Sequence, residues 1–274
     1  MKLGVVAVAA ALAWVSAGGA GAAAQEIVSV DTGPGVTVRV LLLVPPESPS
    51  ATLLMFPGGS GDNHFGEKNG KVWLGKNFLL RAARPLAARG LLIAVIDTPS
   101  NHPQGMDDAF RMGKAHVEDV KKVLGVLAER ATVPIYLVGT SRGTLSAAAL
   151  ATSLNDPRVA GLILTSSIVD SGRGRNRIAT VYQLPLDRIT MPVLVVHHRQ
   201  DTCWATPIRA ASGLPAALSG SAKVNFVEVE GGDPPQSDPC ESSAPHGFFG
   251  RERDVVAVIA DWVAGKPVPK EIGR

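Results

Sequence analysis

The chain has 274 residues, of which 46 % are hydrophobic and 19 % are charged, and its formal net charge at pH 7 is +3. This length and apolar content predict one globular domain with a sizeable core, over residues 25–274. The basic residues are scattered rather than gathered into one stripe, which argues against a nucleic-acid partner.

The first 24 residues have the pattern of a secretory signal peptide. Lys2 provides a positive charge, residues 3–15 are apolar, and the alanines at 22–24 resemble a cleavage site. An uncleaved membrane anchor is the alternative, although a run of this length rich in Gly and Ala is a weak span. We therefore expect cleavage, export to the periplasm or the cell exterior, and no stable membrane anchor afterwards.

Alternating apolar patterns, separated by turn residues, predict three strands at residues 27–30, 36–44 and 51–56. We expect these three strands to form the opening, antiparallel part of a sheet.

Strands and helices alternate over the rest of the chain. Further strands are predicted at residues 91–96, 133–138, 159–165, 193–197 and 223–229, and helices at residues 77–89, 106–130, 145–154, 206–218 and 251–263. This alternation predicts an α/β fold with a mostly parallel central sheet of about eight strands and helices on both faces.

Only about twenty residues, 168–189, join two of these strands, which leaves room for little or no helical lid. Arg173, Arg175 and Arg177 lie in this connection. They could attract an acidic substrate, although a solvated turn is the simpler interpretation.

The stretch at residues 133–144 carries the clearest functional signal. An apolar run leads directly into G-T-S-R-G at residues 139–143, and a pattern of small residues typical of a helix follows. In such a turn Ser141 would have a strained backbone, while Gly139 and Gly143 would avoid clashes with neighbouring elements. The helix N-terminus would direct N–H groups at developing negative charge. The pattern predicts a nucleophile elbow, with an ordinary Gly-rich turn as the alternative.

A serine nucleophile needs a histidine base. His246 lies in the loop between the last predicted strand and the last helix, where a ring can reach over the carboxyl edge of the sheet. His116 lies on a predicted helix and His102 follows an earlier strand. His246 is therefore the candidate base.

The base in turn needs a carboxylate that fixes its tautomer. Asp201 follows a predicted parallel strand, so its carboxylate would lie at the edge that carries the serine. Asp170, after an earlier strand, is the alternative acid. Asp233 and Asp238 share a loop with the candidate base and are expected to be surface turn residues.

A glycine-containing run, F-P-G-G-S-G-D-N-H at residues 56–64, follows the third predicted strand. It could expose several backbone N–H groups. A phosphate loop is one reading, but the run lacks the G-x-x-x-x-G-K-[ST] layout. An oxyanion loop fits better.

The order Ser141, Asp201, His246, together with this loop, resembles the α/β-hydrolase family over essentially the whole mature chain. The matching motifs are G-T-S-R-G, F-P-G-G-S-G, R-Q-D and P-H-G. The resemblance implies that Ser141 is the nucleophile, His246 the general base and acid, and Asp201 the residue that orients the histidine.

The resemblance also implies the oxyanion donors, which are the backbone N–H groups of Arg142, Gly59 and Ser60. The last two align with the second and third glycines of an HGGG-type loop. Pro57 stands where that loop usually has His, and Ser60 where it has its third Gly, which leaves open which upstream amide donates. The Arg142 side chain is expected to be solvated.

The expected function is hydrolysis of carboxylic esters through an acyl-enzyme, with a small-molecule or acyl substrate. A peptidase or amidase is one alternative, because the same triad serves both leaving groups. A catalytically silent binding protein on the same fold is the other. No cofactor and no metal are expected, and the sequence leaves the oligomeric state open.

Cys203 and Cys240 are the only two cysteines. Export to an oxidising compartment favours a disulfide between them, whereas a cytosolic protein would keep two thiols. The bridge would join the loop of Asp201 to the loop of His246. Trp204 would then lie near the pocket mouth as a candidate substrate contact.

Overall fold

The computed structural model describes residues 22–63, 65–69, 71–174 and 177–273. The predicted signal peptide lies outside these residues except for its last three positions, and Arg175 is also outside them. Within the described part of the chain, no helix is long and apolar enough to cross a membrane.

A nine-stranded sheet forms the centre of the molecule. Its strands are β1 (Ala24–Gly33), β2 (Val36–Val44), β3 (Ala51–Phe56), β6 (Leu91–Pro99), β7 (Ile135–Thr140), β8 (Val159–Thr165), β9 (Val193–His198), β10 (Val224–Val229) and β11 (Glu271–Ile272), and a separate hairpin consists of β4 (Gly66–Lys68) and β5 (Lys71–Trp73). The order across the sheet is β1-β2-β6-β3-β7-β8-β9-β10-β11. β2 is antiparallel to both of its neighbours, and every other pair in the sheet is parallel.

Helices cover both faces of this sheet. They are α1 (Phe78–Ala87), α2 (Asp108–Arg111), α3 (Lys114–Arg130), α4 (Gly143–Ser153), α5 (Ile208–Ala211), α6 (Leu214–Ala217) and α7 (Glu252–Val263). The apolar residues of α3, α4, α5 and α6 belong to one core cluster, and those of α1 and α7 belong to another. The α/β class with a mostly parallel sheet is thus confirmed, with nine strands in place of about eight.

The central strand β3 is apolar except for Thr52. Leu54 and Phe56 pack in the cluster beneath α3 and α4, whereas Leu53 and Met55 pack in the cluster beneath α1 and α7. Because alternate side chains of a strand point to opposite faces, a strand covered on both faces carries apolar residues on both.

The prediction that the first three strands form an antiparallel unit is wrong for the third. β3 lies between β6 and β7 and is parallel to both. β6 takes the place next to β2. Alternation of apolar residues identifies a strand, but it carries no information about which strands become its neighbours.

Two predicted helices are interrupted. The predicted helix 106–130 is two helices, because α2 ends before Met112, and Gly113 precedes α3 with an extended backbone (φ −89°, ψ 162°). The predicted helix 206–218 contains the two short helices α5 and α6, with Gly213 between them. Glycine costs a helix interior conformational entropy, so both breaks fall at weak points. The short strands β4, β5 and β11 were not expected from the sequence.

The connection from β8 to β9 carries two single-turn 3₁₀ helices, Val181–Gln183 and Leu186–Arg188. Its described residues include no longer helix. The described residues of this connection therefore agree with the expectation of little or no helical lid.

Candidate active site

The turn between β7 and α4 has the geometry of a nucleophile elbow. Ser141 has a φ of +71°, in the left-handed region that residues with a Cβ rarely adopt. A Cβ at Gly139 would lie 2.6 Å from Gly143 O, and a Cβ at Gly143 would lie 1.8 Å from Phe56 O. Both glycines are therefore required where the helix crosses the ends of β7 and β3.

Hydrogen bonds hold the strained serine in place. The Ser141 N–H donates to Thr165 O at the end of β8, over 3.1 Å. The Thr144 N–H and hydroxyl both donate to Ser141 O, over 2.8 Å and 2.6 Å. The Ile168 N–H donates to the same Thr144 hydroxyl, over 3.3 Å. The elbow is thereby fixed to β8 and to the first turn of α4.

His246 lies in the 3₁₀ turn Pro245–Gly247, with its Nε2 3.1 Å from Ser141 Oγ. The Ser166 hydroxyl donates to His246 O over 2.7 Å. A Cβ at Gly247 would lie 2.1 Å from Ser242 O, so the turn packs closely against the preceding loop. The ring is buried, and the Ser166 hydroxyl holds the backbone of this turn.

Asp201 accepts three hydrogen bonds at the other side of the histidine. Its Oδ2 lies 3.0 Å from His246 Nδ1 and accepts the Thr206 hydroxyl over 2.7 Å, while its Oδ1 accepts the Cys203 N–H over 2.9 Å. The carboxylate side chain is 0 % exposed. Because a carboxylate can only accept, Nδ1 carries the proton and Nε2 presents its lone pair to Ser141.

Thr206 is a site residue that the sequence reasoning missed. Its hydroxyl also lies 3.2 Å from His246 Nδ1. A hydroxyl five residues after the candidate acid was the available signal, because a buried carboxylate needs donors close by in the chain or in space.

The other candidate acids do not approach the histidine. Asp170 Oδ1 accepts the Gly172 N–H of its own turn over 2.9 Å. Asp233 and Asp238 are exposed. Among the described residues, Asp201 is the carboxylate that contacts His246.

The other candidate bases pack against aromatic rings. His116 is buried against Phe56 and Phe110, and burial, with a smaller contribution from the charge of Arg111, lowers the pKa of its imidazole to about 3. The His102 ring lies at a tilt against the Phe110 ring, with ring centroids 4.0 Å apart.

The loop after β3 closely approaches the elbow. A Cβ at Gly58 would lie 2.7 Å from Ser141 Cβ, and Gly59 has a φ of +61°. The backbone N–H groups of Gly59, Ser60 and Arg142 donate no hydrogen bond to another described residue. All three of the expected donors therefore remain available to a ligand.

The expectation that the Arg142 side chain is simply solvated is wrong. Its Nε donates to Asp108 Oδ1 over 2.9 Å, and Asp108 Oδ2 accepts the Ala179 N–H over 2.9 Å. The side chain thus joins the elbow to α2 and to the connection between β8 and β9.

A cavity of about 250 Å³ opens beside Ser141. Its walls come from the loop after β3, the start of α1, the elbow and the loop that precedes His246. Its side chains are mainly polar or charged, and they include Asn63, Lys76, Asn77 and Glu241. The exposed residues Arg173 and Arg177 do not line it.

Cys203 and Cys240 form the predicted disulfide, with Cα atoms 4.6 Å apart. The bridge joins the loop of Asp201 to the wall of the cavity, which Cys240 lines. Trp204 is 52 % exposed and does not line this cavity. Its ring lies against Gly172, where an added Cβ would be 2.7 Å from the ring.

The described residues contain no group of three or more His, Cys, Asp or Glu side chains that could hold a metal ion. The chemistry that this arrangement can perform is nucleophilic. A hydroxyl, an imidazole and a carboxylate lie in series, and the loop and elbow beside the hydroxyl carry N–H groups without a partner among the described residues, as acyl transfer through a serine requires.

No family model and no curated protein sequence matches the chain. Solved structures do. DcsB, solved in complex with its substrate analogue, has a TM-score of 0.64 and 15 % identity over 89 % of this chain and 99 % of its own. The proline iminopeptidase of Mycobacterium smegmatis has a TM-score of 0.62 and 12 % identity over 88 % and 98 %. An esterase of Pyrococcus furiosus has a TM-score of 0.61 and 12 % identity over 89 % and 93 %. These likenesses show that the chain has the α/β-hydrolase fold.

Proposed function

We propose that the protein is a serine hydrolase that cleaves carboxylic esters of small molecules through an acyl-enzyme. One observation carries the proposal. The continuous series of contacts from Ser141 Oγ through His246 to Asp201 lies beside N–H groups that have no partner among the described residues.

In the proposed reaction His246 Nε2 takes the proton of Ser141 as Oγ attacks the ester carbonyl. The carbonyl oxygen becomes an oxyanion and accepts hydrogen bonds from the backbone N–H groups of Arg142 and of Gly59 or Ser60. The imidazolium then gives its proton to the departing alcohol. Water repeats the sequence on the acyl-serine and releases the acid.

Asp201 acts on the base throughout. Its Oδ2, 3.0 Å from Nδ1, keeps His246 in the reactive tautomer and stabilises the imidazolium that forms. The Thr206 hydroxyl and the Cys203 N–H hold this carboxylate in position. The base is thus oriented before substrate binds.

Two further observations support a small ester as substrate. The cavity of about 250 Å³ is below the size of pockets that enclose drug-sized ligands, which start at about 300 Å³. Structures with the same fold include proteins described as esterases. They also include peptidases, so the proposed test compares ester and amide substrates directly.

The test begins with a fluorophosphonate probe on the purified protein, followed by peptide mass spectrometry. We expect labelling on Ser141, no labelling of Ser141→Ala, and an unchanged melting temperature in that variant. Turnover of p-nitrophenyl esters from acetate to octanoate should fall as the acyl chain lengthens, and should exceed turnover of aminoacyl p-nitroanilides. Labelling that persists in Ser141→Ala would refute the nucleophile, and faster cleavage of the anilides would make the protein a peptidase.

We also propose that the chain is exported and that its first 24 residues are removed. The pattern of residues 1–24 supports this, and so does the disulfide, since disulfides persist in oxidising compartments. Secretion of the full chain from a bacterial host should yield a mature N-terminus at Gln25. A cytoplasmic product that keeps Met1 would contradict the proposal.

A further inference from the structure

A buried arginine lies behind the loop that faces Ser141. Arg111, the last residue of α2, is 0 % exposed. Its Nη2 donates to Gly59 O over 3.1 Å, and its Nη1 is within 3.5 Å of Pro57 O and 3.2 Å of Ser146 Oγ. The guanidinium therefore joins two carbonyl groups of this loop to α4.

The charge of Arg111 has no carboxylate partner within ion-pairing distance among the described residues. Asp108, the acid that raises its pKa, is hydrogen-bonded to Arg142 instead. Burial and, to a smaller extent, the charge of Arg142 lower the pKa of the guanidinium to about 9, so Arg111 stays charged at neutral pH. Its Nε has no hydrogen-bond partner among the described residues.

A buried cation without a carboxylate partner costs stability, and an apolar side chain of similar volume would often serve the fold as well. Buried charges that destabilise the fold are found mainly at functional sites, where the charge contributes to binding or catalysis. The groups that accept hydrogen bonds from Arg111 indicate what its charge does.

The two carbonyls belong to peptide units of the loop beside the nucleophile. In a trans peptide the C=O and the N–H of one unit point in opposite directions. The bond to Gly59 O therefore directs the Ser60 N–H away from the guanidinium, and the contact with Pro57 O does the same for the Gly58 N–H. The loop is also packed on this side chain, since a Cβ at Gly61 would lie 2.8 Å from Arg111 Nη2.

We propose that Arg111 is a positioning residue for the oxyanion loop, and that its positive charge favours the anionic tetrahedral intermediate over the neutral ester. This inference rests on the proposed hydrolase function. A fixed charge in a water-excluded place acts more strongly than in water, and it needs no reorganisation when the oxyanion forms. Arg111 touches the loop and not the substrate, so its effect is exerted through the loop amides and the local potential.

The experiment compares Arg111→Met with Arg111→Lys and with Arg188→Met, a control that removes an exposed arginine outside the cavity. For each protein, kcat and KM are measured with the best p-nitrophenyl ester. Inhibition is measured with the alkylboronic acid of the same chain length, which forms a tetrahedral adduct on the serine.

In Arg111→Met we expect kcat to fall by about 10- to 100-fold, somewhat less than for loss of a direct oxyanion donor, while KM changes by less than about threefold. Boronate affinity should fall by the same factor as kcat/KM. Arg111→Lys, which keeps the charge, should lie between wild type and Arg111→Met. Arg188→Met should match wild type in every parameter.

A kcat and a boronate affinity within about twofold of wild type in Arg111→Met would overturn the proposal, and so would equal losses in Arg111→Lys and Arg111→Met. If Arg111→Met does not fold, Arg111→Gln is measured instead. If Arg111→Met, Arg111→Gln and Arg111→Lys all fail to fold, Arg111 has a role in stability alone and the proposal is overturned. Failure of the hydrolase function itself would look different, because wild type would then neither react with the fluorophosphonate probe nor cleave any ester.

Discussion

Stability towards acid should depend on a histidine that lies outside the active site. His116 is 1 % exposed on α3, and neither of its ring nitrogens has a hydrogen-bond partner in the part of the chain that the structure describes. Burial lowers the pKa of this imidazole from 6.5 to about 3, and the positive charge of Arg111 contributes in the same direction. The folded protein therefore holds His116 neutral under conditions in which the unfolded chain would protonate it.

The sign and the size of the effect follow from this difference. Above pH 6.5 His116 is neutral in both the folded and the unfolded protein, so its titration does not lower the unfolding free energy. As the pH falls from 6.5 towards 3, His116 is protonated in the unfolded chain but not in the folded protein. The unfolding free energy therefore falls progressively over this range. At pH 4 the loss amounts to about 3 kcal/mol, since each unit of pKa difference is worth about 1.4 kcal/mol.

Urea denaturation between pH 4 and pH 8 measures this quantity. We expect His116→Leu to reduce the loss of unfolding free energy between pH 7 and pH 4 by about 3 kcal/mol compared with wild type. Phe110→Leu is the matched control, because it alters packing against the same ring without removing a titrating group. It should keep the wild-type pH dependence. Parallel pH profiles for wild type and His116→Leu would refute the reasoning.

Two further expectations concern the loops of the acid and the base. Asp201→Asn should lower kcat by about 10⁴-fold, because an amide at this place favours the wrong tautomer of the histidine, whereas Asp170→Asn should change kcat by less than about threefold. Steady-state kinetics on both variants test this, and a large loss in Asp170→Asn with a small loss in Asp201→Asn would identify Asp170 as the acid. Replacing Cys203 and Cys240 with serine should lower the unfolding free energy by about 4 kcal/mol, the chain-entropy value for a loop of this size. Two reactive thiols per denatured, unreduced chain would show instead that the native protein has no bridge.

The sequence was sufficient to bring the three central site residues together. Ser141 and Asp201 each follow a predicted strand of a parallel sheet, and His246 follows the last one. Parallel strands present their carboxyl ends at one edge, so the strand assignments alone place these residues near each other. The glycine spacing around the serine added the backbone constraint that the structure shows.

The position of β3 could not be predicted in the same way. Its neighbours β6 and β7 are about 35 and 80 residues further along the chain, and no local pattern encodes such a pairing. The break before α3 had a local signal in Gly113, but the apolar periodicity continued across it.

The burial of Arg111 could not be predicted from the sequence. An arginine near a charged helix start is usually solvated, and its burial here depends on the loop that folds over it from about fifty residues earlier. Thr206 escaped for a similar reason, since its partners are set by tertiary contacts with Asp201 and His246.

The tight contact between Gly58 and Ser141 also limits how the specificity of this protein can be redesigned. No side chain fits at Gly58, and none fits at Gly143 on the other side of the elbow, so the wall nearest the nucleophile cannot be altered. The variable walls are the two residues before α1, Lys76 and Asn77, and the loop that contains Glu241. A library restricted to these three positions would vary the shape and charge of the cavity while leaving the reacting groups in place.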